Sequence, residues 1–314
     1  MNSFNIVCIS DEAYAQHTAV MLASLFDTNR EKKIQIFILT QGLSTITITQ
    51  LKSIVPENSQ LQVITKTNKE LPIIANNNEL GGKYWNPIMY LKLFMPRFLG
   101  ENVHRLLFLD VDMVINADIA PLYNIELKDN IIAGAEDWKY SIDHKIRIGL
   151  NKDAMYINSG VMVVDIDKWR KYENKNPISQ YLEIHRDSIQ NDQDAFALYF
   201  QNKIKYINQQ WNVTTYYFER KPRVFNKYFP ILEELRTNPF IIHYCEPIKP
   251  WFKECKHPYR FLYKKYLKQT PWHNYRFPSC KTHFGKPAWR YTVKHWLNIA
   301  GIRHDDWSMI TLNP

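Results

Sequence analysis

Two aspartates one residue apart close an apolar run of strand length, Arg105-Leu-Leu-Phe-Leu-Asp110-Val-Asp112. Paired carboxylates are hard oxygen ligands. They suit Mg²⁺ or Mn²⁺, which keep coordination positions open for phosphate oxygens. Side chains alternate along a strand, so the spacing predicts Asp110 and Asp112 on one face, with Val111 turned to the core. A short apolar run ending in His243 supplies a further ligand type for Mn²⁺, and Lys249, six residues on, can neutralise a phosphate as a point charge. Taken singly, each has a plainer explanation. An isolated Asp-x-Asp is a polar strand end, a lone histidine is a satisfied structural group, and Lys92, the one cation of Trp85-Asn-Pro-Ile-Met-Tyr-Leu-Lys92-Leu-Phe-Met-Pro96, is a solvated helix face.

The elements that must carry these groups alternate between strand and helix. Asn5 to Ser10 reads as a strand ending just before Asp11, followed by a helix from Tyr14 to about Thr28. Lys33 to Thr40 has apolar residues on both faces, as a strand covered on both sides would, and Leu61 to Thr65 follows a helix over Thr45 to Val55. Trp85 to Pro96 reads as a helix entered through Pro87 and stopped at Pro96. Ile131 to Trp138 ends in Glu136 and Asp137, and Tyr156 to Asp165 reads as a strand broken near Gly160. Lys168 to about Asp187 reads as one helix. Asn191-Asp192-Gln193-Asp194 then opens another and is more acidic than capping alone requires. This order predicts an α/β fold with a mainly parallel central sheet, with ligands outside the carboxyl ends of its strands.

The totals narrow the class. A chain of 314 residues with 45% hydrophobic and 23% charged residues is long enough to bury a sizeable core and shows no low-complexity tract. No apolar run approaches the roughly 20 residues of a membrane span. The N-terminus has no basic stretch leading into an apolar one, so we expect no secretory signal and a cytoplasmic protein with reduced thiols at Cys8, Cys245, Cys255 and Cys280. Asn212-Val-Thr214 is then a chance sequon. From Lys253 onward there are twelve basic against three acidic residues, which equals the whole net charge of +9, together with twelve aromatic residues. Trp289, Val293, Trp296, Leu297 and Ala300 fall on one helical stripe there, which predicts a basic, aromatic seat on anionic lipid. We therefore expect a domain over 1–255 and an appendage over 256–314.

The ordered set Ile9-Ser-Asp11-Glu-Ala-Tyr14, Tyr90-Leu-Lys92-Leu, Leu109-Asp110-Val111-Asp112, Asn158-Ser-Gly-Val, Asn191-Asp192-Gln193-Asp194 and His243-Tyr-Cys-Glu-Pro-Ile-Lys249-Pro-Trp251 resembles glycosyltransferase family 8. That group is retaining and includes the bacterial lipopolysaccharide and lipooligosaccharide core transferases and the glycogenins. The resemblance implies a GT-A, Rossmann-like nucleotide-sugar fold with a small helical C-terminal appendage, and a UDP-glucose or UDP-galactose donor. It implies Mn²⁺, with Mg²⁺ as the alternative, held by Asp110, Asp112 and His243, and a lipid-linked oligosaccharide acceptor at the inner face of the cytoplasmic membrane. Asp11 would bind the uracil edge, Tyr14 would stack on it, and Ile9 and Val111 would flank the donor. Lys249 would meet the β-phosphate. Asp137, Asn158, Asp192 and Gln193 would line the sugar pocket, with Gln193 nearest the anomeric carbon. The chain differs from the family pattern at Lys92, usually arginine, at Glu246, usually glycine, and at Ala13, where a relative has asparagine.

Two other readings compete. Asp110-Val-Asp112-Met-Val114 also fits a haloacid-dehalogenase-like phosphatase, which needs a downstream Gly-Asp-x-x-x-Asp that the chain lacks. A nucleic-acid-binding protein would explain the basic tail but not the acidic strand ends, which repel phosphate unless a metal intervenes. A glycogenin-like or other polysaccharide or protein glycosyltransferase is the alternative within the family.

Overall fold

The computed structural model describes residues 3–67, 87–138, 142–185 and 187–279, with 293, 296, 297, 300 and 309–312 beyond them. The described residues form ten strands: β1 (Phe4–Ile9), β2 (Ile34–Thr40), β3 (Gln60–Thr65), β4 (Arg105–Leu109), β5 (Met113–Ile115), β6 (Ile132–Glu136), β7 (Ile157–Asp165), β8 (Ile204–Tyr206), β9 (Val213–Thr214) and β10 (Ile241–His243). They fall into two compact units. The larger comprises Met1–Ala15, Asn29–Val111 and Asp118–Asn208, and the smaller Gln16–Thr28, Asp112–Ala117 and Gln209–Pro314.

The larger unit is built on one seven-stranded sheet in the order β3-β2-β1-β4-β7-β6-β8. Its pairs are parallel except where β7 runs antiparallel to β4 and β6, so the expected mainly parallel sheet is present. β2 is buried on both faces, as its residue pattern implies. Val7, Phe37, Leu39, Leu106, Phe108 and Met162 share one core with Leu91 and Phe94, and with Trp169, Phe196 and Phe200. At about 25 cal/mol per Å² of apolar surface, such burial is the main driving force for folding.

The smaller unit has a three-stranded sheet in the order β5-β10-β9, antiparallel between β5 and β10 and parallel between β10 and β9. Helix Ala15–Thr28, nearly all of it in this unit, is tied to helix Arg260–Leu267 through Asp27, which meets Tyr266 Oη at 3.1 Å and Lys265 Nζ at 3.4 Å.

Four expectations need correction. Asp110 and Asp112 do not alternate along a strand, because β4 ends at Leu109 and the chain next pairs at Met113, in a different sheet. Pro96 does not stop a helix. Pro87–Phe94 is 3-10 helical, and Pro96 sits in the first turn of Met95–Phe98, where its missing N–H has no intrahelical partner to lose. Trp85 and Asn86 lie outside the described residues. β7 runs unbroken through Gly160, and the irregularity is in β6 between Gly134 and Glu136. There a Cβ on Gly134 would meet Ile157 Cδ1 at 2.8 Å and Val161 O at 3.1 Å, so glycine is needed for close packing. Finally, Lys168 to Asp187 is two helices, Ile166–Lys175 and Ile178–Ile184, because Pro177 disfavours helical geometry at Asn176.

Candidate functional site

In the larger unit, separate elements deliver polar groups to one buried array. The 3-10 helix Pro87–Phe94 carries Lys92, β4 runs into Asp110, β6 into Asp137, and β7 carries Asn158 and Ser159. Asn191 caps helix Asp192–Tyr199 by accepting from Asp194 N, which places Asp192 and Gln193 on the first turn. Asp110 is held to β7 by its own N–H, which donates to Gly160 O at 2.8 Å.

Lys92, 2% exposed, is the centre of the array. Its Nζ lies 2.8 Å from Asp192 Oδ2 and 3.4 Å from both Asp110 Oδ1 and Ser159 Oγ, over the face of Phe108. Burial works against its charge, but Asp110 and Asp192 outweigh burial and push the ammonium above its ordinary range. Ser159 Oγ donates to Asp192 Oδ2 at 2.5 Å, and Ser159 N donates to Gln193 Oε1 at 3.3 Å. Gln193 Nε2 and Asn158 Nδ2 both donate to Asp137 Oδ2, at 3.1 and 3.0 Å. Lys92, Asp110, Asp137, Asn158, Asp192 and Gln193 are thus brought into one connected network. Asp194 has a different job: fully buried, it accepts from Tyr156 Oη and Gln190 N and pairs with His144 Nε2 at 2.7 Å.

Ile9, Asp11 and Tyr14 form a local group at the end of β1. Asp11 Oδ1 caps the short turn Glu12–Tyr14 by accepting from Tyr14 N at 2.9 Å, and Tyr14 is 38% exposed. A cavity of about 1220 Å³ in the same unit lies around the amino-terminal ends of β1 to β4, beside Asn5, Gln35, Gln62 and Arg105. That is the opposite end of the strands from Asp11 and Asp110, and none of the expected site residues lines it.

The smaller unit gathers Asp112, His243 and Lys249. β10 ends in His243, and Tyr244 N donates to Asp112 O at 3.0 Å. Lys249 Nζ meets Asp112 Oδ2 at 2.7 Å and Tyr244 O at 2.6 Å, and His243 Nε2 lies 3.3 Å from Asp112 Oδ1. Burial opposes ionisation of Asp112, but Lys249 and then His243 prevail and hold its carboxyl well below the usual carboxylate range. His243 Nδ1 is 2.9 Å from Asn212 Oδ1. Asn212 Oδ1 accepts from Nδ1, which leaves Nε2 as the nitrogen that faces Asp112. A proton on Nε2 or a metal ion can join the two groups, because imidazole and carboxylate are both metal-ligand types. A residue that orients a histidine from its far side is a common feature of metal sites.

Glu246, which stands where the resemblance implies glycine, lies beside a cation. It is 5% exposed and 3.8 Å from Arg223, whose guanidinium also pairs with Glu219 at 2.5 Å; among the described residues Glu246 Oε2 has no hydrogen-bond partner.

Sequence reasoning missed Ser159 and Asn212 as supporting residues. Ser159 lies inside a motif already singled out, and its hydroxyl was the available signal. In the sequence Asn212 reads only as part of a chance sequon, and the pairing of β9 with β10 brings it behind His243.

The sequence profile of Glycosyl transferase family 8 matches residues 5–255. General stress protein A of Bacillus subtilis is 25% identical over 291 residues, spanning 88% of this chain and 96% of that protein. The lipopolysaccharide 1,2-glucosyltransferase of Escherichia coli K12 is 23% identical over 277 residues, 85% of this chain and 78% of that one. Among solved structures, the galactosyltransferase LgtC, crystallised with donor and acceptor sugar analogues, is similar with a TM-score of 0.72 at 21% identity, covering 85% of this chain and 96% of that chain. The mainly parallel α/β architecture is therefore the GT-A fold.

Proposed function

The chain belongs to glycosyl transferase family 8, and from that premise we propose that it is a retaining hexosyltransferase moving glucose or galactose from a UDP-sugar to a lipopolysaccharide or lipooligosaccharide core. The observation that carries the reading is the donor set at Asp112. A carboxylate lies 3.3 Å from an imidazole nitrogen, Asn212 orients the ring from its far side, and Lys249 stands beside the carboxylate at 2.7 Å. Those groups fit a divalent cation and an anionic diphosphate. Asp110, two residues earlier on the same stretch, is the third ligand in this reading. Mn²⁺ suits a mixed carboxylate and imidazole set better than Mg²⁺. When bound, the ion neutralises charge on the diphosphate.

The chain's own residues divide the remaining work. Lys249 meets the β-phosphate, Asp11 the uracil edge, and Tyr14 the uracil face. Asp137, Asn158, Asp192 and Gln193 line the sugar pocket, with Lys92 holding Asp192 in place. Gln193 spends both ends of its amide on Ser159 N and Asp137, and an amide is a poor nucleophile. Retention then proceeds on one face of the sugar. As the glycosidic C–O bond to UDP breaks, the departing phosphate oxygen takes the acceptor hydroxyl's proton, and that hydroxyl oxygen bonds to the anomeric carbon. The lipopolysaccharide relative supports the choice of acceptor.

The test is release of UDP from a panel of UDP-sugars, with Mn²⁺ or with chelator. We expect one donor to be hydrolysed slowly, only with metal, and not at all by Asp112→Ala. Hydrolysis of an aryl phosphate that requires Asp110, with every UDP-sugar left intact, would place the chain with the phosphatases instead.

The region 256–314 seats the enzyme on the anionic inner leaflet, where its lipid-linked acceptor resides, in this reading. Val293 and Trp296 of the aromatic stripe are 43% and 60% exposed, while Trp289 lies outside the described residues. No helix among the described residues is long and apolar enough to cross a membrane. Removal of residues 272–314 should abolish sedimentation with anionic vesicles at low salt; full sedimentation of the truncated chain would refute the idea.

A further inference from the structure

His17 has no role in the site as read so far, yet it is 2% exposed and lies flat on Trp251, with ring centroids 3.4 Å apart and planes 14° from parallel. Its Nδ1 is 2.6 Å from Tyr263 Oη, which sets the rotation of the ring. Burial above all, opposed by Asp112 and reinforced by Lys249, pushes its pKa down to about 3. The imidazole is therefore neutral under working conditions and can stack on an indole without burying a charge.

Trp251 belongs to the turn that carries Lys249. Lys249 N donates to Pro247 O at 3.1 Å and Phe252 N to Lys249 O at 3.0 Å, which folds the backbone tightly on either side of the lysine. Arg260 fastens the far side of that turn by donating to the carbonyls of Pro250 at 2.9 Å and Phe252 at 2.5 Å. The backbone is thus clamped from one helix while the Trp251 ring rests on a second, Ala15–Thr28, through His17. A lysine side chain carries about 2 kcal/mol of rotamer entropy. Its ammonium reaches both Asp112 and Tyr244 O only if its Cα is held at the right place and angle.

We propose that His17 is a positioning residue for Lys249: by stacking on Trp251 it sets the turn from which the ammonium reaches Asp112 and the diphosphate of the donor. The proposal rests on the reading above, in which Lys249 meets that diphosphate. It makes His17 part of donor binding although it touches no substrate.

The test is a double-mutant cycle on the full chain, with the dissociation constant of UDP measured by calorimetry in Mn²⁺. Lys249→Ala should weaken UDP by about 30-fold or more, as loss of one partner of a desolvated charge pair does. His17→Ala should weaken it about 10-fold, in keeping with the sensitivity of charged contacts to misplacement of around 1 Å. The double variant should bind no worse than Lys249→Ala alone, because the two losses are the same loss. His17→Phe, which keeps a flat ring on Trp251, should bind UDP almost as well as the wild type, and its circular dichroism shows whether the fold is retained. Additive losses in the cycle, or a folded His17→Phe as weak as His17→Ala, would overturn the role of His17 and leave the donor reading intact. An unchanged UDP affinity in Lys249→Ala would overturn the donor reading itself, and the inference with it.

Discussion

Lys92 in the larger unit and Lys249 in the smaller each hold an aspartate closely, at 2.8 Å to Asp192 and 2.7 Å to Asp112, but their surroundings differ. Lys92 is enclosed by a second carboxylate, a serine hydroxyl and an aromatic face, and Asp192 also accepts from Ser159 Oγ. Beside Lys249, the other oxygen of Asp112 faces His243 Nε2 at 3.3 Å, a pair that a proton or a metal ion can join. One array is dominated by ion pairs around a buried lysine, and the other brings two metal-ligand types together. Charge in the first is therefore expected to count mainly toward folding and the shape of the proposed sugar pocket. In the second it counts toward what is bound.

The largest effect that separates the two should come from Lys92→Met. The substitution leaves Asp192 uncompensated in a buried site beside the partly exposed Asp110, and removing one partner of a buried pair costs about 3–5 kcal/mol. Urea unfolding at pH 7 checks this, and a loss under 1 kcal/mol would show that the Lys92 array is no electrostatic unit. Because the Lys92 pKa is raised, its contribution is fully present below the ordinary lysine value of about 10.4 and is lost only as pH rises through the higher folded value. The gap between wild type and variant should accordingly stay constant from pH 7 to 10.

Next in size is Asn212→Ala, which removes the acceptor at the histidine's far nitrogen. It should weaken Mn²⁺ binding about 10- to 100-fold, the usual cost of losing the group that orients a ligating histidine. Metal titration followed by calorimetry reads this directly, with thermal unfolding in chelator nearly unchanged. A large fall in stability without metal would make Asn212 a folding residue and blur the contrast between the units.

The smallest effect concerns burial alone. His257, also in the smaller unit, accepts from Tyr259 N but has no partner at Nε2 among the described residues, and burial pushes its pKa down to about 3. Between about 6.5 and about 3 the unfolded chain binds a proton that the folded chain refuses, so stability falls as pH falls through that window. His257→Phe should flatten the slope there by at most about 1.4 kcal/mol per pH unit. Equal slopes in urea unfolding from pH 7 to 4 would mean that His257 protonates in place.

The residues proposed to line the sugar pocket were legible as candidates because each sits near a strand or helix end that its neighbours define. β6 runs into Asp137 through an apolar stretch, and Asn191 announces the helix that places Asp192 and Gln193. The Asp110 and Asp112 motif was legible as chemistry but not as geometry. Strand alternation placed both on one face of one sheet, whereas the chain leaves β4 at Leu109 and enters a second sheet at Met113. Little in the local pattern marks that crossing, because Met113 to Ile115 resumes the apolar texture of β4 straight after the two acids.

By itself the sequence determined the alternation of strands and helices, the buried faces of the central strands and the residue types that can hold a cation and a diphosphate. These follow from periodicity, end signals and side-chain chemistry, all of which act over a few residues. The tertiary structure alone decided which groups support those residues. Asn212 lies 31 residues before His243 and Ser159 lies 33 before Asp192, while His17 lies 246 before Tyr263. Contacts that far apart depend on which strands pair and which helices pack, and that is settled by burial of the whole core.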